Sequence, residues 1–156
     1  MDRQVGANAP PHLRGETSAG PAWRVLVADD EPPLRLLCRV ALEYDGFIVL
    51  EAGDGIEALE VARLEKPDLI LLDLMMPGLD GWRVATALSD DETTSRIPIV
   101  FLSAFAQPAD RARGLESGAV GYITKPFDPL QLPVTVREFL GPADVRRART
   151  RAQPGR

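Results

Sequence analysis

A short apolar run, Leu69-Ile70-Leu71-Leu72, lies between Pro67 and Pro77 and stops at a single carboxylate, Asp73. A run this short, uncharged and bounded by prolines reads as a strand buried on both faces of a parallel sheet. Met76-Pro77-Gly78 cannot continue it. Asp73 is thereby placed at the carboxyl end of a buried strand, the edge of an open α/β sheet where ligands bind. An aspartate at such a point can equally cap a turn, so the ends of the other strands have to decide its role.

Order is expected from Trp23. Arg24-Val25-Leu26-Val27-Ala28 reads as a strand running into Asp29-Asp30-Glu31. Pro32 and Pro33 suit only the first turn of a helix, and Leu34, Leu37, Cys38, Ala41 and Leu42 then recur at helical spacing up to Gly46. Phe47 to Ala52 is the second strand. Ile56, Ala58, Leu59 and Ala62 mark the second helix, and the Asp73 strand follows. Asp80-Gly81 opens a helix through Leu88, with Trp82 packing near its start. Ile97 to Leu102 is the fourth strand, ending at Ser103-Ala104. Pro108 starts a short helix that Gly118 closes. Val120 to Thr124 is the fifth strand, followed by Lys125-Pro126. Asp128 and Pro129 are expected to open the last helix as N-cap and first-turn proline. Pro133 would then fall about five positions inside it, costing ~3 kcal/mol and kinking or restarting the helix. Cys38, on an apolar helical face, reads as an inert core residue.

This alternation predicts an α/β fold with a doubly wound (βα)5 architecture: a parallel five-stranded sheet with helices on both faces. The flavodoxin-like strand order 2-1-3-4-5 makes strands one and three neighbours. Asp29, Asp30 and Asp73 then share a crevice with Ser103 and Lys125, because adjacent strands are ~4.8 Å apart. Carboxylates crowded together must take up a proton or a cation. Lys125 offsets part of the charge. A hard divalent ion with oxygen ligands, Mg²⁺, suits the remainder, and no His or Cys stands nearby to favour zinc. Lys125 is one of only two lysines against sixteen arginines, and a compact ammonium can meet a phosphoryl oxygen in a narrow site. A hydroxyl, a compact cation, a metal site and one spare carboxylate describe phosphoryl transfer, with Asp73 as the nucleophile.

These motifs, in this order, resemble the response-regulator receiver domain, the CheY-like family. The matching residues are Asp29-Asp30, Asp73 with Met76-Pro77-Gly78 and Asp80-Gly81, Ser103-Ala104, and Lys125-Pro126-Phe127, spanning about residues 23–140. The resemblance implies that Asp73 is the phosphoacceptor and receives its phosphoryl group from a histidine kinase or a phosphotransfer protein. It implies that Asp30, Asp73 and the Met75 backbone carbonyl bind Mg²⁺, with Asp29 acting mostly through water. Ser103 and Lys125 would contact the phosphoryl oxygens, and Tyr122 would be the switch aromatic. It also implies that Met75 and Phe105 tune autodephosphorylation. Neither side chain can orient a water, so self-hydrolysis is expected to be slow. The resemblance also implies that the last helix can serve a signalling and homodimer face between the fourth and fifth helices, whose usual geometry Pro133 puts in doubt.

The expected function is therefore a phosphorylation-activated, single-domain signalling switch that catalyses only its own phosphorylation and slow dephosphorylation. Its downstream protein target is not named by the sequence. An aspartate-nucleophile phosphatase would need a second aspartate where Met75 stands, and a nucleotide hydrolase would need a Gly-rich phosphate loop. The competing readings are a receiver-shaped interaction module that is never phosphorylated and a receiver fragment of a longer regulator. Residues 1–22 and 141–156 read as a disordered leader, carrying the single His12, and an arginine-rich flexible tail. The net charge is −5, with zero in the leader and +4 in the tail, leaving −9 between them. An acidic body speaks against nucleic acid as a partner. No apolar stretch approaches the roughly 20 residues of a membrane span, no secretory signal opens the chain, and one cysteine excludes a disulfide framework. A cytoplasmic setting is expected.

Overall fold

A computed structural model describes residues 22–104 and 107–141. The strands are β1 (Arg24–Ala28), β2 (Ile48–Ala52), β3 (Leu69–Leu72), β4 (Ile99–Ser103) and β5 (Gly121–Thr124). The helices are α1 (Pro32–Tyr44), α2 (Gly55–Glu65), α3 (Gly81–Asp90), α4 (Pro108–Glu116) and α5 (Leu132–Leu140). All strand pairs are parallel, in the order β2-β1-β3-β4-β5. The expected α/β architecture is the one observed.

Side chains alternate across a strand, and the two cores divide accordingly. Leu26, Ala28, Ile70, Leu72, Ile99 and Phe101 face α2 and α3, meeting Ala58, Ala62, Val84, Ala85 and Leu88. Val25, Val27, Leu69, Leu71, Val100 and Leu102 face α1 and α5, meeting Cys38, Leu42, Leu132, Val136 and Leu140. Every residue of β3 is fully buried, as its uncharged run requires. Burial pushes the Cys38 thiol up to about 12, with the Asp29 charge adding to the effect, so Cys38 is the inert core residue expected.

The last helix departs from expectation. It begins at Leu132, and Pro133 lies in its first turn, where a missing N–H costs nothing. Asp128 and Pro129 belong instead to a turn. Asp128 Oδ1 accepts from Leu130 N at 2.9 Å, and the Asp128 carbonyl accepts from Gln131 N and Leu132 N. The helix is neither kinked nor restarted, and Pro133 gives no ground for doubting the α4–α5 face. Strand ends shift by one or two residues from the sequence reading, within the usual spread. The leader and tail, apart from Ala22 and Gly141, fall outside the described residues, as does Phe105. Among the described residues no helix is long and apolar enough to cross a membrane.

Candidate functional site

The carboxyl edge of the sheet is built by backbone hydrogen bonds that continue the ladders past the strands. Asp29 N donates to the Ala52 carbonyl at 3.0 Å, Asp73 N to the Ala28 carbonyl at 2.9 Å, and Lys125 N to the Ser103 carbonyl at 2.9 Å. These bonds pin the first residue after β1, β3 and β5 to the neighbouring strand. The Lys125–Pro126 peptide is cis.

Asp29, Asp30 and Asp73 each bring a carboxylate oxygen within 4.8 Å of the others. Asp29, Asp73 and Ser103 are buried, while Asp30 is half-buried. Lys125 Nζ reaches Asp29 Oδ2 at 3.0 Å and Asp73 Oδ1 at 3.6 Å. Asp29, Asp30, Asp73 and Lys125 are thus brought together, and Ser103 ends β4, the strand beside β3. Asp29, implied to act through water, makes the closest ion pair with Lys125, and its Oδ1 accepts from Glu31 N at 2.9 Å. Asp73 Oδ1 also accepts from Met75 N at 3.2 Å. Burial, then the charge of Asp29, push the Asp73 carboxyl up to about 6 despite the opposing pull of Lys125. Burial opposes the Lys125 charge, but its hydrogen bond to Asp29 and the charges of Asp73 and Asp29 outweigh that and hold it above its ordinary value. The donor set is all oxygen, largely buried and carries more negative than positive charge, which fits a hard cation such as Mg²⁺.

The Asp80-Gly81 pair has a local reason. Asp80 caps α3, its Oδ1 accepting from Arg83 N at 2.9 Å. A Cβ on Gly81 would lie 2.4 Å from the Asp73 carbonyl, so only glycine lets α3 start this close to the acidic loop. Asp80→Ala is expected to lower stability by about 1 kcal/mol, read by urea unfolding, because one first-turn N–H loses its acceptor. An unchanged midpoint would show that the cap contributes nothing.

Two contributors were not foreseen. Arg35 Nη1 donates to the Asp29 carbonyl at 2.7 Å while its Nε meets Glu51 at 3.1 Å, tying α1 and β2 to the acidic loop. Arg111 stacks on Tyr122 with 5.0 Å between the guanidinium carbon and the ring centre. Arginines on amphipathic helices give no sign of such partners in the sequence alone. Tyr122 pairs in register with Phe101, two residues before Ser103 and on the same face of the sheet, where Ser103 opposes the rise that burial gives the phenol pKa. Met75 is 56% exposed at the site's edge.

Known proteins agree with this geometry. The family model of the response regulator receiver domain matches residues 25–137. The chain is 42% identical over 121 residues to the DNA-binding dual master transcriptional regulator RpaA of Synechocystis, covering 78% of this chain and 50% of that protein. It is 45% identical over 123 residues to the phosphate regulon transcriptional regulatory protein PhoB of Pseudomonas aeruginosa, covering 77% and 54%. The chain thus spans about half the length of these curated relatives. Among solved structures, the chemotaxis protein CheY4 of Vibrio cholerae superposes with a TM-score of 0.73 at 30% identity, covering 76% of this chain and 99% of that one. With the fold, the acidic cluster and the family match in agreement, the chain belongs to the response-regulator receiver-domain family of two-component signalling.

Proposed function

We propose that Asp73 accepts a phosphoryl group from the phosphohistidine of a histidine kinase or phosphotransfer protein, and that the phosphorylated chain signals by docking on a target protein. The observation that carries this reading is Lys125 Nζ lying between Asp29 and Asp73 in a cluster of three carboxylates. In the transfer an Asp73 carboxylate oxygen attacks phosphorus, and the P–N bond of the donor breaks. The imidazole nitrogen keeps the electron pair. Lys125 can move from Asp73 to a phosphoryl oxygen while holding Asp29, and Ser103 offers a hydroxyl donor to another oxygen. Asp29, Asp30, Asp73 and the Met75 carbonyl would hold Mg²⁺, which supplies charge neutralisation at the crowded carboxylates. The chain then acts on its own aspartate and turns over no other substrate. The transcriptional roles stated for RpaA and PhoB belong to longer proteins, of which the matched region covers about half; for this chain a protein target is the proposed output.

Mg²⁺ titration of the parent, Asp30→Ala and Asp73→Ala, followed by tryptophan fluorescence, tests the site. Each variant should bind more weakly by about tenfold or more, since affinity follows the number of charged oxygen ligands. Unchanged affinity in both would refute the site. Beryllofluoride with Mg²⁺ should shift the parent's spectrum. A receiver-shaped module that is never phosphorylated would show no response to beryllofluoride.

A further inference from the structure

Helix α4 meets the rest of the molecule without an apolar face. Of Pro108–Glu116 only Gly114 is buried, and Leu115 is 60% exposed. A helix of this length does not hold itself in water, so tertiary contacts must place it. Two arginines supply one on each flank. The Arg113 guanidinium lies 3.9 Å from the centre of the Trp82 ring on α3. The Arg111 guanidinium lies 5.0 Å from the centre of the Tyr122 ring on β5, and its Nη2 donates to Thr124 Oγ1 at 3.0 Å. Residues two apart on a helix diverge, which lets one helix engage both aromatics. Under this layer Tyr122 meets Phe101 edge-on, with ring centres 6.1 Å apart. A Cβ on Gly114 would come within 2.9 Å of the Phe101 ring, so the glycine sets how closely α4 lies over the pair. Tyr122 shares its face of the sheet with the buried Ser103, two residues beyond its register partner Phe101.

We propose that Arg111 is a positioning residue for the Asp73 site. Set over Tyr122 and hydrogen-bonded to Thr124, it fixes the ring between α4 and β5 on the face that also carries Ser103. This deepens the reading of Asp73 as a phosphoacceptor and rests on it for its consequence, though not for its geometry. An arginine on an exposed helix face is more often simply solvated. Here its plane is spent on a ring and one of its donors on a β5 hydroxyl, which a solvated arginine has no reason to do. Arg113 is the internal comparison: the same helix and the same kind of stack, but directed at Trp82 and away from Ser103.

The test uses the full chain labelled with 3-fluorotyrosine. Its two tyrosines, Tyr44 and Tyr122, give two fluorine resonances, assigned with Tyr44→Phe. Arg111→Gln should move the Tyr122 resonance toward that of a solvated tyrosine before anything is added, and leave Tyr44 in place. It should weaken Mg²⁺-dependent beryllofluoride binding about two- to fivefold, the range of an exposed cation–π contact. Arg111→Lys keeps the charge but not the planar stack and should change both readings less. Arg113→Gln should alter Trp82 fluorescence and leave the Tyr122 resonance where it was. A Tyr122 resonance that is the same in Arg111→Gln and the parent overturns the proposal. So does an equal shift in Arg113→Gln, which would make the effect one of helix anchoring alone. If the parent fails to bind beryllofluoride, the phosphoacceptor reading falls, and the Tyr122 resonance still decides whether Arg111 positions the ring.

Discussion

Asp73→Asn is expected to abolish phosphoryl uptake and, in Mg²⁺-free buffer at neutral pH, to make the protein more stable. Both effects have one cause. Asp73 is 5% exposed and shares its crevice with Asp29 and Asp30, so its charge is poorly solvated and faces like charge. The amide has nearly the same shape but carries no charge, and its oxygen is a poor nucleophile toward phosphorus. The pH sign follows from a folded-state carboxyl raised to about 6 from an ordinary 3.8. The folded protein holds this proton to a higher pH than the unfolded chain does. The contribution of Asp73 to stability therefore falls as pH rises from about 4 to about 6 and stays low above that. The deficit is up to roughly 3 kcal/mol by proton linkage, and it should be absent in the variant. Lys125 is not stranded by the change, since Asp29 Oδ2 remains 3.0 Å away. Uptake is measured with a small phosphodonor as acid-stable, hydroxylamine-labile label, and stability by urea unfolding across that pH range. Label retained on the variant would put the acceptor elsewhere. Parallel pH profiles for parent and variant would show that the carboxyl is not strained by its surroundings.

What the sequence disclosed was the part governed by local rules. Apolar runs between prolines and glycines made β3 and its neighbours legible, and parallel strands need crossovers, so their number and alternation led to the sheet order. Strand ends then led to Asp29, Asp30, Asp73, Ser103 and Lys125 without further information. The start of α5 failed for a physical reason. Asp128-Pro129 carries the local signal for a helix start, whereas Gln131 is no preferred cap and makes no side-chain cap bond, so the observed start is set by burial. Leu132 is 2% exposed in the α1–α5 core, whereas Leu130 is 82% exposed, so the chain turns at Asp128 and begins the helix where Leu132 can reach the core. The arginine contacts were hidden for a different reason. Arg35, Arg111 and Arg113 find partners on other elements, and no periodicity within their own helices encodes which ring or carbonyl the fold will bring to them.

Met75 is expected to bear on how long a phosphorylated state would last, with acceleration when it is made polar. Loss of an aspartyl phosphate requires water to attack phosphorus in line, opposite the Asp73 oxygen. The backbone of Met75 is tied to that carboxylate, its N–H donating to Asp73 Oδ1 at 3.2 Å, while the residue as a whole is 56% exposed. A residue anchored at the site yet open to solvent is expected to flank the approach of that water. It buries little surface that could explain a methionine there. A thioether accepts hydrogen bonds weakly and gives the water no orientation, and its bulk competes with water for space. Phe105, two residues after Ser103, is the other position expected to matter and lies outside the described residues. A group that positions a nucleophile or takes its proton can be worth about 10²-fold. Met75→Asn should therefore shorten the phosphorylated lifetime several-fold, within that range, and Met75→Asn with Phe105→Glu should shorten it further, toward 10²-fold. Met75→Leu keeps the bulk without adding a polar group and should decay as the parent does. After phosphorylation with a small donor and its removal, decay is followed by loss of label. If the double variant decays no faster than the parent, neither residue controls the water. If Met75→Leu decays as fast as Met75→Asn, what matters is how the thioether packs, and the polar group has no part in it.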